Sequence, residues 1–212
     1  MRTNKHSTRQ LIAVLPVVET FHSLQGEGIH AGRSAFFIRL AGCKVSCSWC
    51  DTKQSWRADL HPQQKVNDLA KETALAKKAG AAFVVITGGE PLHHNLDPLA
   101  EAIRKASGLP IHIETSGVDA ISGTPDWITL SPKRHNPPKA DILNACDELK
   151  VVVHNEEDLV FAEKTATQAS KAILLLQPGW DSDKGQELAI KYTQSHPQWR
   201  LSLQSHKWLK VR

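Results

Sequence analysis

Cys43-Lys-Val-Ser-Cys47-Ser-Trp49-Cys50-Asp51-Thr52 places three of the chain's four cysteines within eight residues, spaced Cys-x3-Cys-x2-Cys. Three thiolates this close can each hold one corner of a cuboidal iron–sulfur cluster, which normally takes four. Three leave one iron without a protein ligand, free to bind a substrate or cofactor. A structural zinc site wants four closed ligands, so zinc would need a distant histidine, of which the chain has 11. A disulfide would leave one thiol unpaired. The missing fourth ligand is the informative feature; zinc and chance clustering of thiols are the alternatives.

Upstream, residues 34–40 (Ser-Ala-Phe-Phe-Ile-Arg-Leu) read as a buried strand running into this loop, and residues 19–32 hold the glycine-flanked Gln25-Gly-Glu-Gly28. Downstream, helix and strand patterns alternate. Apolar or small residues at 66, 69, 70, 73 and 74 give a helix over 66–78. An apolar strand over 82–87 ends in Gly88-Gly-Glu-Pro91, and a helix over 96–107 is closed by Gly108 and Pro110. Strands follow at 111–114, ending in Thr-Ser-Gly117, and at 127–130, ending in Ser131-Pro-Lys133. A short helix near 141–145, a strand at 149–153, a helix at 156–170, a strand at 173–177, a helix at 184–195 and a strand at 200–204 complete the chain. Such alternation implies a largely parallel sheet with right-handed crossovers. Every polar or glycine-rich oddity sits just after a strand, where α/β barrels build their sites. About seven strands and four helices are too few for a closed eight-unit barrel. The expected fold is α/β, a partial, open TIM-like barrel with a mostly parallel sheet; an open doubly wound sheet, which obeys the same end-of-strand rule, is the alternative.

A chain of 212 residues is most simply one domain. We expect residues 1–18 to be a tail leading into the first strand and 19–212 to form that domain. Hydrophobic content of 41% and charged content of 23% suit a soluble globular protein. A net charge of +4 with no basic run argues against nucleic acid as a partner. The cysteine usage excludes a disulfide scaffold and favours a reducing cytoplasm. The apolar run at 11–18 is broken by Pro16 and followed directly by Glu19, which does not fit a secretory signal. No stretch approaches the length of a membrane span.

Several residues carry chemistry on their own terms. Gly88 and Gly89 let the backbone approach a ligand closely, although Pro91 would equally suit a plain turn. Arg39 is a guanidinium in a nearly apolar strand and must find a partner or reach water. It shares a face with Phe37, where it would make a fork for a carboxylate; the alternative is a rim position with its head in solvent. Lys133 can pair with a carboxylate as a compact cation or stand solvated at the surface. Cys146 reads as a small buried residue. His22, His93, His94, His112, His135 and His206 read as surface or packing histidines.

The cysteine spacing, with Trp49 just before the last cysteine, resembles the cluster motif of the radical S-adenosylmethionine (SAM) superfamily. That resemblance implies a 4Fe–4S cluster on Cys43, Cys47 and Cys50, with SAM chelated at the open iron and cleaved to a deoxyadenosyl radical. It also implies Gly88, Gly89 and Glu90 beside the SAM methionine. A closer resemblance, to the 7-carboxy-7-deazaguanine synthases, covers the chain from residue 19 onward. It rests on Glu19-Thr-Phe-His-Ser-Leu-Gln-Gly-Glu-Gly28, Phe37-Ile-Arg-Leu-Ala-Gly-Cys43, Trp49-Cys-Asp-Thr52, Thr87-Gly-Gly-Glu-Pro91, Glu114-Thr-Ser-Gly117, Ser131-Pro-Lys133, Glu148-Leu-Lys150, Leu176-Gln-Pro178 and Leu203-Gln-Ser-His-Lys207.

This family is a group of lyases that contract 6-carboxy-5,6,7,8-tetrahydropterin to 7-carboxy-7-deazaguanine with loss of ammonia, in queuosine and deazapurine biosynthesis. SAM is regenerated, and the radical rather than a side chain breaks the substrate C–H bond. The resemblance implies SAM contacts from Trp49, Asp51, Glu114, Ser116, Ser131, Lys133, Gln177 and Pro178. It implies substrate contacts from Leu24, Gln25, Gly26, Glu27, Arg39 and Thr87, and magnesium on Thr52, a hard oxygen ligand. It further implies a homodimer reduced by flavodoxin or a similar carrier. Family chains often end in a proline whose carboxylate serves the substrate; this chain ends Lys210-Val-Arg212, so no role is placed on Arg212, nor on His206. Two rivals share parts of the pattern. A glycyl-radical activase would need the cluster and Gly-Gly-Glu, but not Arg39, Thr52 and Gln-Gly-Glu-Gly together. A zinc-stabilised binding module would need no catalysis.

Overall fold

The computed structural model describes residues 13–212; the basic N-terminal stretch and the start of the apolar run at Leu11 lie outside them. The chain runs β1 (Val14–Leu24), β2 (Ser34–Leu40), β3 (Gln63–Lys65), α1 (Val66–Lys78), β4 (Phe83–Gly88), α2 (Asp97–Ala106), β5 (Ile111–Thr115) and β6 (Trp127–Leu130). It continues α3 (Ala140–Ala145), β7 (Glu148–Val153), α4 (Glu156–Ala166), β8 (Ile173–Pro178), α5 (Asp183–Ser195), β9 (Trp199–Leu201) and α6 (Ser205–Leu209). The strands form one open sheet in the order β3-β1-β2-β4-β5-β6-β7-β8-β9. From β2 to β9 every pairing is parallel; β1 joins β2 and β3 antiparallel.

Side chains alternate across a strand, and here the two faces have different fates. Phe36, Ile38 and Leu40 of β2, Val84 and Ile86 of β4, Ile111 and Ile113 of β5 and Leu149 and Val151 of β7 join one apolar core. Leu69 of α1, Leu99 and Ile103 of α2, Ile142 of α3, Leu159 of α4 and Ala189 of α5 join the same core. These helices therefore cover one face only, which excludes the doubly wound alternative and gives the expected partial barrel. The other face carries Arg39, Thr87, Glu114, Thr129, Lys150 and Gln177, which line a cavity.

The elements differ from expectation at both sheet edges. Residues 19–24 belong to β1, whose antiparallel pairing with β2 extends to Leu24↔Ser34. The three polar residues of β3 pair with Val14–Pro16 and carry no apolar alternation. The expected strand at 200–204 ends at Leu201. Ser202 N still donates to Leu176 O (2.8 Å), but Ser205 N turns to Gly26 O (2.9 Å), and a short helix replaces the tail.

Loop 25–32 seals the sheet's interior. Gly28 N donates to Ser202 Oγ (3.0 Å) and Ile29 N to Glu148 Oε2 (2.9 Å). His30 packs beneath, among Phe83, His112 and Trp127, with the His112 ring stacked on Phe83 at 4.1 Å. Burial, aided by the neighbouring His30 and Arg33, pushes His112 down to about 4. Its folded value lies below its unfolded value, so the unfolded chain binds more protons between about pH 6.5 and 4, and stability must fall as pH drops through that window. We expect a loss on the order of 1–3 kcal/mol there, removed by His112→Phe and read by urea unfolding. An unchanged pH slope in the variant would reject this role.

Candidate functional site

The cysteine loop leaves β2 at Leu40 and is held by hydrogen bonds along its backbone. Gly42 N donates to Ser55 O (2.7 Å), Cys43 N to Trp56 O (3.1 Å) and Cys50 N to Cys47 O (3.1 Å). The end of β4 lies directly against it: Gly89 N donates to Leu40 O and Glu90 N to Gly42 O, both 2.9 Å. A Cβ on Gly88 (φ 132°) would stand 2.1 Å from Leu40 O, and one on Gly89 would stand 2.5 Å from Gly42 O. The two glycines are thus required by the approach of the cysteine loop, whatever they also offer a ligand.

Cys43, Cys47 and Cys50 line one cavity of about 490 Å³. Burial pushes the thiols of Cys43 and Cys47 up, with Lys133 opposing the rise at Cys47. Binding a metal group there would displace those protons. Among the described residues no three His, Cys, Asp or Glu side chains are grouped to hold a single metal ion. Thiols spread around a cavity instead suit a multi-iron cluster, which meets each thiolate at a different iron.

The remaining walls come from successive strand ends, and every residue expected from the sequence to bind the cluster, SAM, magnesium or substrate lines this one cavity. Arg39 Nε donates to Glu19 Oε1 (3.0 Å). Glu114 accepts from Gln25 Nε2 (2.8 Å) through one oxygen and from Thr87 Oγ1 (3.2 Å) through the other. Leu24 and Gly26 border Gln25, and the His206 ring packs on Gly26 so closely that a Cβ would fall 2.1 Å from its Nδ1. Glu90 is buried and its carboxylate accepts four bonds: Leu92 N (3.1 Å), Thr115 Oγ1 (2.5 Å), Ser116 N (2.8 Å) and Ser116 Oγ (2.5 Å). It is a strut between two strand-end turns.

Lys133, half-buried, donates to Ser131 Oγ (2.7 Å), and burial pushes its pKa down. Gln177 Oε1 accepts from Ser202 Oγ (2.8 Å), beside Pro178. Thr52 Oγ1 lies 3.6 Å from Cys50 Sγ. Asp51 is exposed and accepts from Lys207 Nζ (2.7 Å). Trp49, 44% exposed, meets His135 and His154 edge-on.

Sequence reasoning singled out Glu27 but gave no role to its partners Lys150 and Gln204. Glu27 forms a buried ion pair with Lys150, and Gln204 Nε2 donates to Glu27 Oε1 (2.8 Å). A lysine in the apolar run Glu148–Val153 gives the same signal as Arg39. His94 Nε2 donates to Ala41 O (2.8 Å), His135 Nε2 donates to Val45 O (2.9 Å), and His93 Nε2 accepts from Lys44 N (3.1 Å). Three histidines read as packing or surface residues therefore anchor the cysteine loop.

Residues 37–150 match the Radical SAM superfamily. The chain is 56% identical to the 7-carboxy-7-deazaguanine synthase of Prochlorococcus marinus, over 93% of this chain and 98% of that one. It is 50% identical to the synthase of the same name from Synechocystis sp., over 93% of each. The crystal structure of QueE from Escherichia coli superposes with a TM-score of 0.78 at 33% identity, covering 91% of this chain and 95% of that chain.

The buried pair makes a prediction of its own. Burial raises the Glu27 carboxyl, but the charge and hydrogen bond of Lys150, with bonds from Gln204 and Gln177, outweigh it and hold Glu27 well below its usual range. Its stabilising contribution is therefore present above about pH 4.5 and lost as pH falls through the lowered value. Glu27→Gln removes the one carboxylate hydrogen-bonded to buried Lys150, leaving only the more distant Glu114 and Glu148, and should cost about 3–5 kcal/mol at pH 7, read by urea unfolding. Adding Lys150→Met should restore most of that. A single variant as stable as the parent would show that the pair carries no such weight.

Proposed function

The chain belongs to the radical SAM superfamily and, within it, to the 7-carboxy-7-deazaguanine synthases, and we propose that it is the lyase that contracts 6-carboxy-5,6,7,8-tetrahydropterin to 7-carboxy-7-deazaguanine with loss of ammonia. The observation that carries this reading is one cavity lined both by the three thiols and by the guanidinium of Arg39. SAM serves as a regenerated cofactor.

Cys43, Cys47 and Cys50 would hold the 4Fe–4S cluster, which, once bound, supplies the electron that cleaves SAM. The protein's share is positioning and shielding. Glu19 fixes Arg39 through Nε, which leaves the two terminal nitrogens as a fork for the substrate carboxylate. Glu114 can turn an oxygen from Gln25 or Thr87 toward a ring N–H or a ribose hydroxyl. With the Glu90 carboxylate already saturated, the backbone of Gly88, Gly89 and Glu90 is the part of that segment left for the SAM amino group. Lys133, steadied by Ser131, suits the SAM carboxylate, and Ser116, Trp49, Asp51, Gln177 and Pro178 complete that side. Leu24, Gln25, Gly26 and Glu27 cover the pterin. Thr52 offers magnesium a hydroxyl. Phe21, Phe37 and Val45 give the cavity apolar wall, which would help exclude water and protect a radical from side reactions.

The same proposal includes one catalytic domain, which takes in the expected 19–212 and, because Leu15 and Val17 of β1 join the core, starts at Val14 rather than Glu19, in a cytoplasmic homodimer reduced by a flavodoxin-like carrier. In support of an interface, Leu203, Trp208 and Leu209 stand exposed, Trp208 at 80%. Among the described residues no helix is long and apolar enough to cross a membrane.

The test is anaerobic turnover of the reconstituted protein with SAM, magnesium, a reductant and the tetrahydropterin, followed by mass spectrometry. Deazapurine should form with little net loss of SAM; deoxyadenosine accumulating without it would reject this substrate. Arg39→Ala should lower turnover by at least about 100-fold, the scale of a lost charge-assisted clamp, with cluster absorbance intact. Thr52→Ala should weaken the magnesium response, and an unaltered response would remove the ion from Thr52.

A further inference from the structure

We propose that Asp119 and His93 form a positioning relay that holds the first cysteine of the triad in place, by presenting a fixed imidazole acceptor to the backbone N–H of Lys44. The inference rests on the reading of Cys43, Cys47 and Cys50 as cluster ligands, and adds residues outside the motif that set their geometry.

Lys44 N donates to His93 Nε2 at 3.1 Å. A neutral ring nitrogen that accepts carries no proton, so the ring proton must sit on Nδ1. Nδ1–H faces Asp119 Oδ2 and donates to it. Asp119 thereby selects the one tautomer that can accept from Lys44. Partners of this kind orient and fix histidines around metal sites; here the histidine acts one step further out, on the peptide that follows the ligand.

The ring itself has little freedom. His93 closes the 3-10 turn Pro91–His93, where Glu90 Oε1 accepts from Leu92 N (3.1 Å) and His93 N donates to Glu90 O (3.1 Å). Glu90 is in turn bound to Thr115 and Ser116. The next residue works with the opposite polarity, since His94 Nε2 donates to Ala41 O at 2.8 Å. Two adjacent histidines thus bracket Gly42 and Cys43, one accepting downstream and one donating upstream. Between them, Gly42 N, Gly42 O and Cys43 N are all paired to backbone groups. The Lys44 N–H is the donor of this stretch whose acceptor is a side chain, so its removal tests the bracket without rewriting the loop. Without His93 that N–H turns to solvent, and the Cys43–Lys44 peptide loses its fixed plane.

The first measurement is 15N histidine NMR on the full-length apoprotein. His93 should show the Nδ1–H tautomer, and Asp119→Ala should redistribute it; an Nε2–H ring in the parent protein overturns the relay. The second uses the reconstituted protein. His93→Ala and Asp119→Ala should lose iron to a chelator about 5–10-fold faster than the parent, the scale of one hydrogen bond. Both should also broaden the electron paramagnetic resonance signal of the reduced cluster. His93→Gln, whose amide oxygen can accept from Lys44 N, should recover most of the retention, a rescue that simple loss of packing does not predict. Iron loss at the parental rate in folded His93→Ala rejects the proposal, and if that variant does not fold, Asp119→Ala and the tautomer decide. A parent protein that takes up no iron and sulfide would instead reject the cluster reading on which the relay rests.

Discussion

The contact on which the site depends is the backbone pairing of Gly88–Glu90 with Leu40–Gly42. Parallel strands β2 and β4 are neighbours, and normally their following loops diverge. Here Gly89 N and Glu90 N continue the pairing for two further residues onto the cysteine loop. Only glycine tolerates the separation, since a Cβ at either position would lie within 2.5 Å of loop backbone. The loop that carries the thiols is therefore an extension of the sheet, not a flap above it. Glu90, Thr115 and Ser116 carry the same lock across to β5.

A barrel that does not close leaves a polar interior open at one side, and backbone polar groups exposed there must find partners. Loop 25–32 supplies them. It joins the first strands to the last through Ser202, Gln204 and Ser205, and to the middle of the sheet through Glu148 and Lys150. Glu148 is a buried carboxyl whose pKa burial pushes up, against bonds from Ile29 N and Thr129. Charged groups placed this deep are costly unless satisfied. The loop is therefore seated on charges that hold it only while each keeps its partner.

The sheet strands with strong apolar runs were legible at their true bounds: 34–40 and 127–130 read from sequence as they stand in the fold, as does helix 66–78. Those segments bury one face in the main core, so hydrophobic pattern and structure carry the same information. The edges were not legible. Gln63–Lys65 has no apolar alternation because it pairs only with the edge of β1, and residues 202–204 abandon the strand to bond a loop some 175 residues away. The site was legible where a residue type clashed with its surroundings, as a guanidinium in Phe-Phe-Ile-Arg-Leu does. The histidine anchors were not, since His93 meets Lys44 across 49 residues and His135 meets Val45 across 90. No local pattern marks a residue whose partner is another segment's backbone.

The charges around the cavity explain which of its cations can receive a ligand. Lys150 is neutralised by Glu27, inside the wall, and so serves the loop's seat. Lys207 is spent on Asp51 and stacks on Trp180 at 4.5 Å. Arg39 is balanced by Glu19 through Nε alone, with its fork unspent. Lys133 has a hydroxyl as its hydrogen-bond partner, and burial lowers its pKa; an incoming carboxylate would reverse that shift, so the gain in pairing adds to the binding. Arg212 also lines the cavity, but it is largely exposed and pairs with the other Glu19 oxygen (3.4 Å); Arg39 and Lys133 are the wall cations with bonding capacity to spare. The proposed reaction brings two carboxylates into the cavity, one on SAM and one on the pterin. Lys133 stands beside Cys47, close enough to oppose the rise in its pKa, and Arg39 pairs across the sheet with Thr87 on the strand that ends in Gly88. Pairing each carboxylate with its own cation would fix the order of the two molecules in the pocket before any bond is broken, which is the work that positioning must do when the cofactor carries the chemistry.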